Sequence, residues 1–283
     1  MTMPTIEIAA QAGACYGVER ALRMVKEASS LHENTVQTLG PLIHNPQVVQ
    51  QLEKDGVQVA SSVDDATANV VVIRSHGVAP EVVQRAHELG KTMLDATCPY
   101  VKKVHHAAKL LEEQGYQVLV VGEAGHPEVE GTRGNAPSAL VIGSPEELKA
   151  VRIKRKVGVV VQTTQSPANL QAILSCLLGK VEELRVFDTI CAATSERQAA
   201  AADLSSRVDT MIVIGGRISA NTTRLAEICS ATCANTHHIE TPDELEASWF
   251  ATSKHIGITA GASTPANQIQ AVHTAIVNLC EQL

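Results

Sequence analysis

Aromatic side chains are nearly missing: the 283 residues include one tryptophan, three tyrosines and two phenylalanines. A base-stacking platform for single-stranded nucleic acid is therefore poorly supplied. A basic surplus is lacking too, since 23 lysines and arginines stand against 30 aspartates and glutamates, net −7. That balance argues against broad binding to nucleic acid or to an anionic membrane. Apolar runs such as Val70-Val71-Val72-Ile73 stop far short of the ~20 residues that span a bilayer. The stretch from Met1 to Glu7 carries no basic or apolar signal-peptide region, so no signal peptide is expected and the cytoplasm is the expected compartment. Neither Gly-x-x-x-x-Gly-Lys nor Gly-x-Gly-x-x-Gly occurs, which leaves a nucleotide cofactor without support.

What is present is material for a packed core: 45% hydrophobic residues against 19% charged. Short β-branched runs alternate with helical patterns over the whole length. Candidate strands fall at 6–10, 35–40, 70–75, 92–97, 117–122, 139–143, 157–164, 184–189, 210–216 and 256–261. Between them, stretches such as 100–115 and 195–208 space their apolar residues by three and four. Such alternation implies α/β units built on mainly parallel sheets. The basic cluster from Arg152 to Lys156 reads as a solvated loop before a strand.

A weak internal repeat is more informative. Cys15, Cys98 and Cys191 each end a strand-like run and open a helix-like one, 83 and 93 residues apart. That is one such cysteine per third of the chain. A second theme is a strand, a small polar turn and a helix start, often marked by proline. It places His44, His76, His126, Thr163 and Thr164, Ser219 and Asn221, and Ser263 in six turns. Helix N-termini favour anions because their N–H groups lack intrahelical partners. Three domains with two polar turns each would converge on one anionic centre.

A thiolate at a helix N-terminus has a lowered pKa and binds metal readily. None of the three cysteines lies in a Cys-x-x-Cys pair, which excludes a local zinc knuckle. Three thiolates from separate parts of the chain suit a 4Fe–4S cluster with one iron open, or a zinc with one exchangeable position. Cys176 and Cys280 look like ordinary packed thiols, and Cys229 and Cys233, although four apart, lack a partner pair. His105 and His106 are adjacent within a helical pattern, which does not suit joint chelation. His237 and His238 resemble an edge strand, and His32, His87, His255 and His273 stand in no supporting motif. Histidines at strand-to-helix turns suit a phosphate or diphosphate, with Thr163, Thr164, Ser219, Asn221 and Ser263 as neutral donors. Each of these polar residues also suits a helix cap. Glu128 shares a turn with His126 and could either relay a proton or simply favour the helix dipole.

Four stretches in order carry a resemblance: Asp95-Ala96-Thr97-Cys98-Pro99, Gly125-His126-Pro127-Glu128-Val129-Glu130-Gly131-Thr132, Gln162-Thr163-Thr164 and Thr259-Ala260-Gly261-Ala262-Ser263. With them the chain resembles the 4-hydroxy-3-methylbut-2-enyl diphosphate reductases, the last enzymes of the methylerythritol phosphate route to isoprenoids. The likeness runs from Ala12 to about Gln268. It implies an α/β fold of three similar small domains in pseudo-threefold arrangement around one 4Fe–4S cluster. The expected domains are 17–98, 99–187 and 188–283, with residues 1–16 packing onto the third. By the same resemblance Cys15, Cys98 and Cys191 ligate the cluster, whose fourth iron is left for substrate. His44, His76, His126, Thr163, Thr164, Ser219, Asn221 and Ser263 match the substrate-binding positions. Glu128, His126 and Thr163 match the catalytic ones, with Glu128 assigned to proton delivery. The implied reaction is a two-electron reductive dehydroxylation yielding isopentenyl and dimethylallyl diphosphate, with ferredoxin or flavodoxin as electron donor.

Some positions depart from the family pattern. The late turn commonly reads Ser-Ser-Asn and here reads Ser219-Ala220-Asn221, so one side-chain donor is absent. The first cysteine motif often reads Phe-Cys-Ala-Gly and here is Ala14-Cys15-Tyr16-Gly17; Gln165 stands where leucine is common. Two other readings compete. One is a three-cysteine iron–sulfur enzyme resembling quinolinate synthase, whose cluster serves as Lewis acid. The other is a non-catalytic zinc or iron–sulfur sensor, which would need a recognition segment that is not visible.

Overall fold

The computed structural model describes residues 3–31 and 36–283. Thr35, at the start of one expected strand, and His32 lie outside the described residues, as do Met1 and Thr2. Strand β1 (Thr5–Ile8) comes first. The next four are β2 (Val36–Leu39), β3 (Gln58–Ala60), β4 (Val70–Ile73) and β5 (Thr92–Asp95), paired in the order β3-β2-β4-β5. Then β6 (Gln117–Val121), β7 (Leu140–Ile142), β8 (Lys156–Val161) and β9 (Glu183–Val186) pair as β7-β6-β8-β9. Finally β10 (Thr210–Ile214), β11 (Thr236–Ile239) and β12 (His255–Ala260) pair as β11-β10-β12, and β1 closes that sheet beside β12. All pairings are parallel. The expected α/β class is therefore the observed one.

Among the described residues ten α-helices cover these sheets. They are α1 (Tyr16–Leu31), α2 (Pro46–Lys54), α3 (Pro80–Glu88), α4 (Pro99–Glu113), α5 (Pro127–Asn135), α6 (Pro145–Leu148), α7 (Pro167–Leu177), α8 (Ala192–Ser205), α9 (Ala220–Ser230) and α10 (Ala266–Glu281). Helices α2 to α7 all begin on proline, whose fixed φ suits the first turn and whose missing N–H would have had no partner there. Each of the ten expected strands is present, although most stop two or three residues short of the expected end, where the chain enters a polar turn. The three-residue β3 is additional to the expected strands, being too short to carry a period-two signal. His237 and His238 lie on β11, an edge strand as their sequence suggests.

One topology occurs three times. In each sheet the first strand in repeat order has its successor on one side and the third strand on the other, and the fourth strand stands beyond the third. The last sheet fits once β1 is counted as its fourth strand. Strands at the sheet centres are buried on both faces, as in β4, β6 and β10, where every residue is buried. Parallel sheets need that double cover.

The described residues divide into two compact units. One comprises those of Met1–Tyr16 with His44–Pro46 and Ala192–Leu283, and holds the sheet of β1, β10, β11 and β12. The other comprises those of Gly17–Ile43 and Gln47–Cys191 and holds the remaining two sheets. The three-residue segment His44–Pro46 thus groups with the unit that contains both chain ends, although it follows β2 of the other.

In the larger unit, α4 lies so close to the sheet that a β-carbon at Gly158 would meet both methyls of Leu111 at 2.7 Å. Leu111 is fully buried in the same apolar cluster as Val118 and Val160. Gly158→Ala is expected to cost about 1–3 kcal/mol by overpacking, and Leu111→Ala about 2–5 kcal/mol by the cavity it leaves. Because each change relieves the other, urea unfolding of the double variant should show a loss smaller than the sum.

Candidate active site

The polar turns sit at the carboxyl ends of the parallel strands, where loops and helix N-termini gather. Repeat order assigns them regularly. The turns after the first strands β2, β6 and β10 carry His44, His126 and the Ser219–Asn221 stretch. The turns after the third strands β4, β8 and β12 carry His76, Thr163 with Thr164, and Ser263. The fourth strands β5, β9 and β1 lead to Cys98, Cys191 and Cys15. Each cysteine directly precedes a helix, α4, α8 or α1.

The backbone repeats as closely as the order does. The N–H of Cys98 donates to Ser75 O at 2.9 Å, that of Cys191 to Thr163 O at 3.1 Å, and that of Cys15 to Ala262 O at 3.1 Å. Every acceptor belongs to the turn after the neighbouring third strand. All three thiols are half-buried and outside any disulfide. By contrast Cys229 and Cys233 are packed in the core, where burial first and Cys233 second push the Cys229 thiol up to about 12. A neutral S–H held that firmly is an inert core group.

In the larger unit, Glu128 is 3% exposed in the first turn of α5. Its Oε1 accepts the Thr163 N–H at 2.6 Å, and its Oε2 accepts the Thr163 hydroxyl at 2.8 Å. Burial pushes its carboxyl up to about 7, against the two Thr163 bonds, which favour the anion. A group poised near neutral pH can hold a proton and release it. His126 caps the same helix, its Nδ1 accepting the Glu128 N–H at 3.2 Å. The neutral ring then carries its proton on Nε2, as a donor. The His76 ring meets the His126 ring edge-on, with centroids 5.6 Å apart. The site therefore draws together Glu128, His126, His76 and Thr163 within one unit.

Gln162, which belongs to one of the four ordered motifs, organises this turn. Its Oε1 accepts the Glu123 N–H at 2.9 Å and its Nε2 donates to the Thr164 hydroxyl at 3.1 Å. At 2% exposure it is a buried amide bonded at both its oxygen and its nitrogen. Ser75 likewise ties the His76 turn to Leu42, through its N–H at 3.3 Å and its hydroxyl at 3.1 Å. No sequence pattern announces such links, because a buried glutamine or serine looks like an exposed one.

In the other unit, Ser219 caps α9 by accepting the Thr222 N–H at 3.4 Å, which leaves its own proton available. Asn221 is 4% exposed, and neither its Nδ2 nor its Oδ1 has a hydrogen-bond partner among the described residues. An amide buried with both ends unsatisfied is costly and marks a place where a polar ligand is received. Ala220, between them, offers only its backbone. Ser263 donates its hydroxyl to His44 O at 3.0 Å, so its single proton serves the chain itself.

A protein-family model described as LytB protein matches residues 6–277. The chain belongs to the LytB family. Its relatives include the 4-hydroxy-3-methylbut-2-enyl diphosphate reductase of Geobacter sulfurreducens, 49% identical over 261 residues and 92% of either chain. The reductase of the same name from Pelobacter propionicus is 47% identical over 259 residues, 91% of this chain and 92% of its own. A solved structure of (E)-4-hydroxy-3-methyl-but-2-enyl diphosphate reductase, the terminal enzyme of the non-mevalonate pathway, is 41% identical with a TM-score of 0.72. It covers 98% of this chain and 100% of its own. The E-1-hydroxy-2-methyl-but-2-enyl-4-diphosphate reductase of Plasmodium falciparum is 26% identical, with a TM-score of 0.92 over 96% of this chain and 87% of its own. These relatives do not favour the quinolinate synthase-like alternative. Among the described residues no helix is long and apolar enough to cross a membrane.

The raised Glu128 value fixes a pH signature. A carboxyl held at about 7 in the fold and at 4.5 ordinarily binds more protons folded than unfolded across that window. Stability therefore falls as pH rises from about 4.5 to 7. Glu128→Gln keeps the shape and removes the titration. Melting curves should show the variant gaining on the wild type by up to about 3 kcal/mol between pH 4.5 and 8. A stability difference that is the same at both ends of the range would show that Glu128 is not held above its ordinary value.

Proposed function

We propose that this protein reduces 4-hydroxy-3-methylbut-2-enyl diphosphate to isopentenyl and dimethylallyl diphosphate, the last step of the methylerythritol phosphate pathway. Two electrons and two protons enter, the allylic C–O bond breaks, and the hydroxyl leaves as water. The observation that carries the reading is the buried Glu128–Thr163 pair at the strand ends, in a chain whose relatives bear the reductase name. Each sheet with its helices is read as one domain, 17–98, 99–187 and 188–283 joined by 1–16. The threefold strand order supports that division.

The three strand-end thiols fit a cluster with three protein ligands. They recur at one topological position, each on a half-buried turn that opens a helix, and none is tied in a disulfide. Cys15, Cys98 and Cys191 would hold one 4Fe–4S cluster per chain. When bound, the cluster supplies electrons one at a time and a Lewis-acidic iron. Ferredoxin or flavodoxin is the electron donor, and the cytoplasm, which keeps thiols reduced, is the compartment.

The remaining work falls to side chains. His44, His76 and His126 with Thr163, Thr164, Ser219, Asn221 and Ser263 bind the substrate, and the Ser263 hydroxyl also fixes the His44 backbone. Asn221 gains the partners it lacks when a phosphate oxygen and a hydroxyl reach it. Glu128 holds the proton to be delivered, and the Thr163 hydroxyl beside Oε2 passes it on. Their burial keeps competing water from the reacting carbon.

The test is turnover of the allylic diphosphate by anaerobically purified protein with a reduced ferredoxin or a chemical reductant. Production of both isoprenoid diphosphates supports the reading, and an iron-replete protein that leaves the substrate untouched overturns it. Cys98→Ser should lose iron and activity together; full iron content would remove Cys98 from the ligand set. Glu128→Gln should keep the iron and its visible spectrum while turnover drops by about 10²–10⁴. Near-normal turnover would take Glu128 out of proton delivery.

A further inference from the structure

His44 stands apart from the other candidate donors in how it is held. It lies between β2 and α2, yet the segment His44–Pro46 groups with the unit that contains Ser219, Asn221 and Ser263. Asn45, 2% exposed, explains this. Its Nδ2 donates to Ser263 O at 2.9 Å and to Gln268 Oε1 at 2.9 Å, so both amide protons are engaged. The Ser263 hydroxyl returns a bond to His44 O at 3.0 Å. On another side lies Gly216, where a β-carbon would sit 2.7 Å from His44 O and 3.3 Å from Pro46 Cδ. Only glycine lets the segment come so close. Proline at position 46 confines Asn45 to extended backbone and begins α2, so the segment enters this dock already stiff.

These contacts fix the backbone that carries His44. Their output is the position of one imidazole. We propose that Asn45, with Gln268 as its acceptor, is a positioning residue that seats His44 in one frame with the Ser219 and Asn221 donors for diphosphate binding. The assignment rests on the reductase reading above. Asn45 touches no reacting atom and acts through His44. Asparagine is specific here because aspartate, its isostere, would set a carboxylate oxygen against the Ser263 carbonyl, and that carbonyl cannot reorient to donate.

The experiment measures anaerobic binding of inorganic diphosphate, together with KM, kcat, iron content and melting temperature, on the holoenzyme. The Asn45→Asp variant should weaken diphosphate binding and raise KM by about tenfold, with kcat within about threefold and iron unchanged. In a His44→Ala background the same change should add nothing, because its effect passes through His44. Gln268→Leu removes one acceptor at a half-buried position and should act the same way by about threefold, which keeps the test open if Asn45→Asp does not fold. Equal effects of Asn45→Asp with and without His44, or unchanged diphosphate affinity in both single variants, would overturn the assignment. A wild-type holoenzyme that binds diphosphate but does not turn over the allylic substrate would sink the reductase reading and leave the positioning role to be decided by affinity alone. Wild-type protein with no affinity for diphosphate would overturn both.

Discussion

A parallel sheet gathers the carboxyl ends of its strands on one edge, and each strand must leave that edge through a turn into a helix. The rest of this protein depends on that constraint. Every such turn exposes backbone N–H groups at a helix start and is free to carry a polar side chain without disturbing the core. With four strands per sheet and one order repeated three times, the same three turns in each sheet acquire the same tasks. The turns after first and third strands carry histidines, hydroxyls and an amide, and the turn after the fourth carries a cysteine. The cysteine backbone is bonded each time to the carbonyl chain of the third-strand turn. Thiol and donor are thus set relative to one another by main-chain bonds, which no side-chain substitution removes.

Against that frame, a few buried polar groups supply the chemistry, and they do so at a cost to stability. The Glu128 carboxylate is buried against Thr163, and its raised value reflects desolvation that the two Thr163 bonds do not offset. Asn221 is buried with its amide unsatisfied among the described residues. Surface ion pairs such as Arg85 with Asp64, both about half-exposed, involve full charges yet contribute little to the fold. The informative polar groups are those that the fold pays to keep dry, because function is the only return they bring.

Much of the site was legible in the sequence for physical reasons. Proline before a helix, a small polar turn and a strand-end cysteine are local patterns, so Cys15, Cys98 and Cys191 stood out by recurrence. Glu128 was marked by its turn, but whether it was a dipole-favoured glutamate or a proton carrier depends on burial, which sequence does not report. Gln162, Ser75 and Asn45 were passed over for the same reason. Their distant partners, Glu123, Leu42, Ser263 and Gln268, lie 33 to 223 residues away, and nothing local distinguishes a buried polar side chain so engaged from an exposed one.

By itself the sequence determined the α/β class, the parallel alternation, the positions of the helix starts and the family. Each is written in short-range periodicity, turn chemistry or ordered motifs. Tertiary structure alone decided three things. Residues 1–16 were already expected on the third domain, but the structure decided that β1 pairs there with β12 as the fourth strand, which brings Cys15 into the same relation as the other two cysteines. The His44–Pro46 segment leaves the unit that surrounds it in sequence, because Asn45 and Gly216 fit it to another. Glu128 is raised toward neutrality because the fold buries it, against the two Thr163 bonds that favour its anion. All three are long-range contacts between residues whose own neighbourhoods are ordinary, and only the folded chain brings them together.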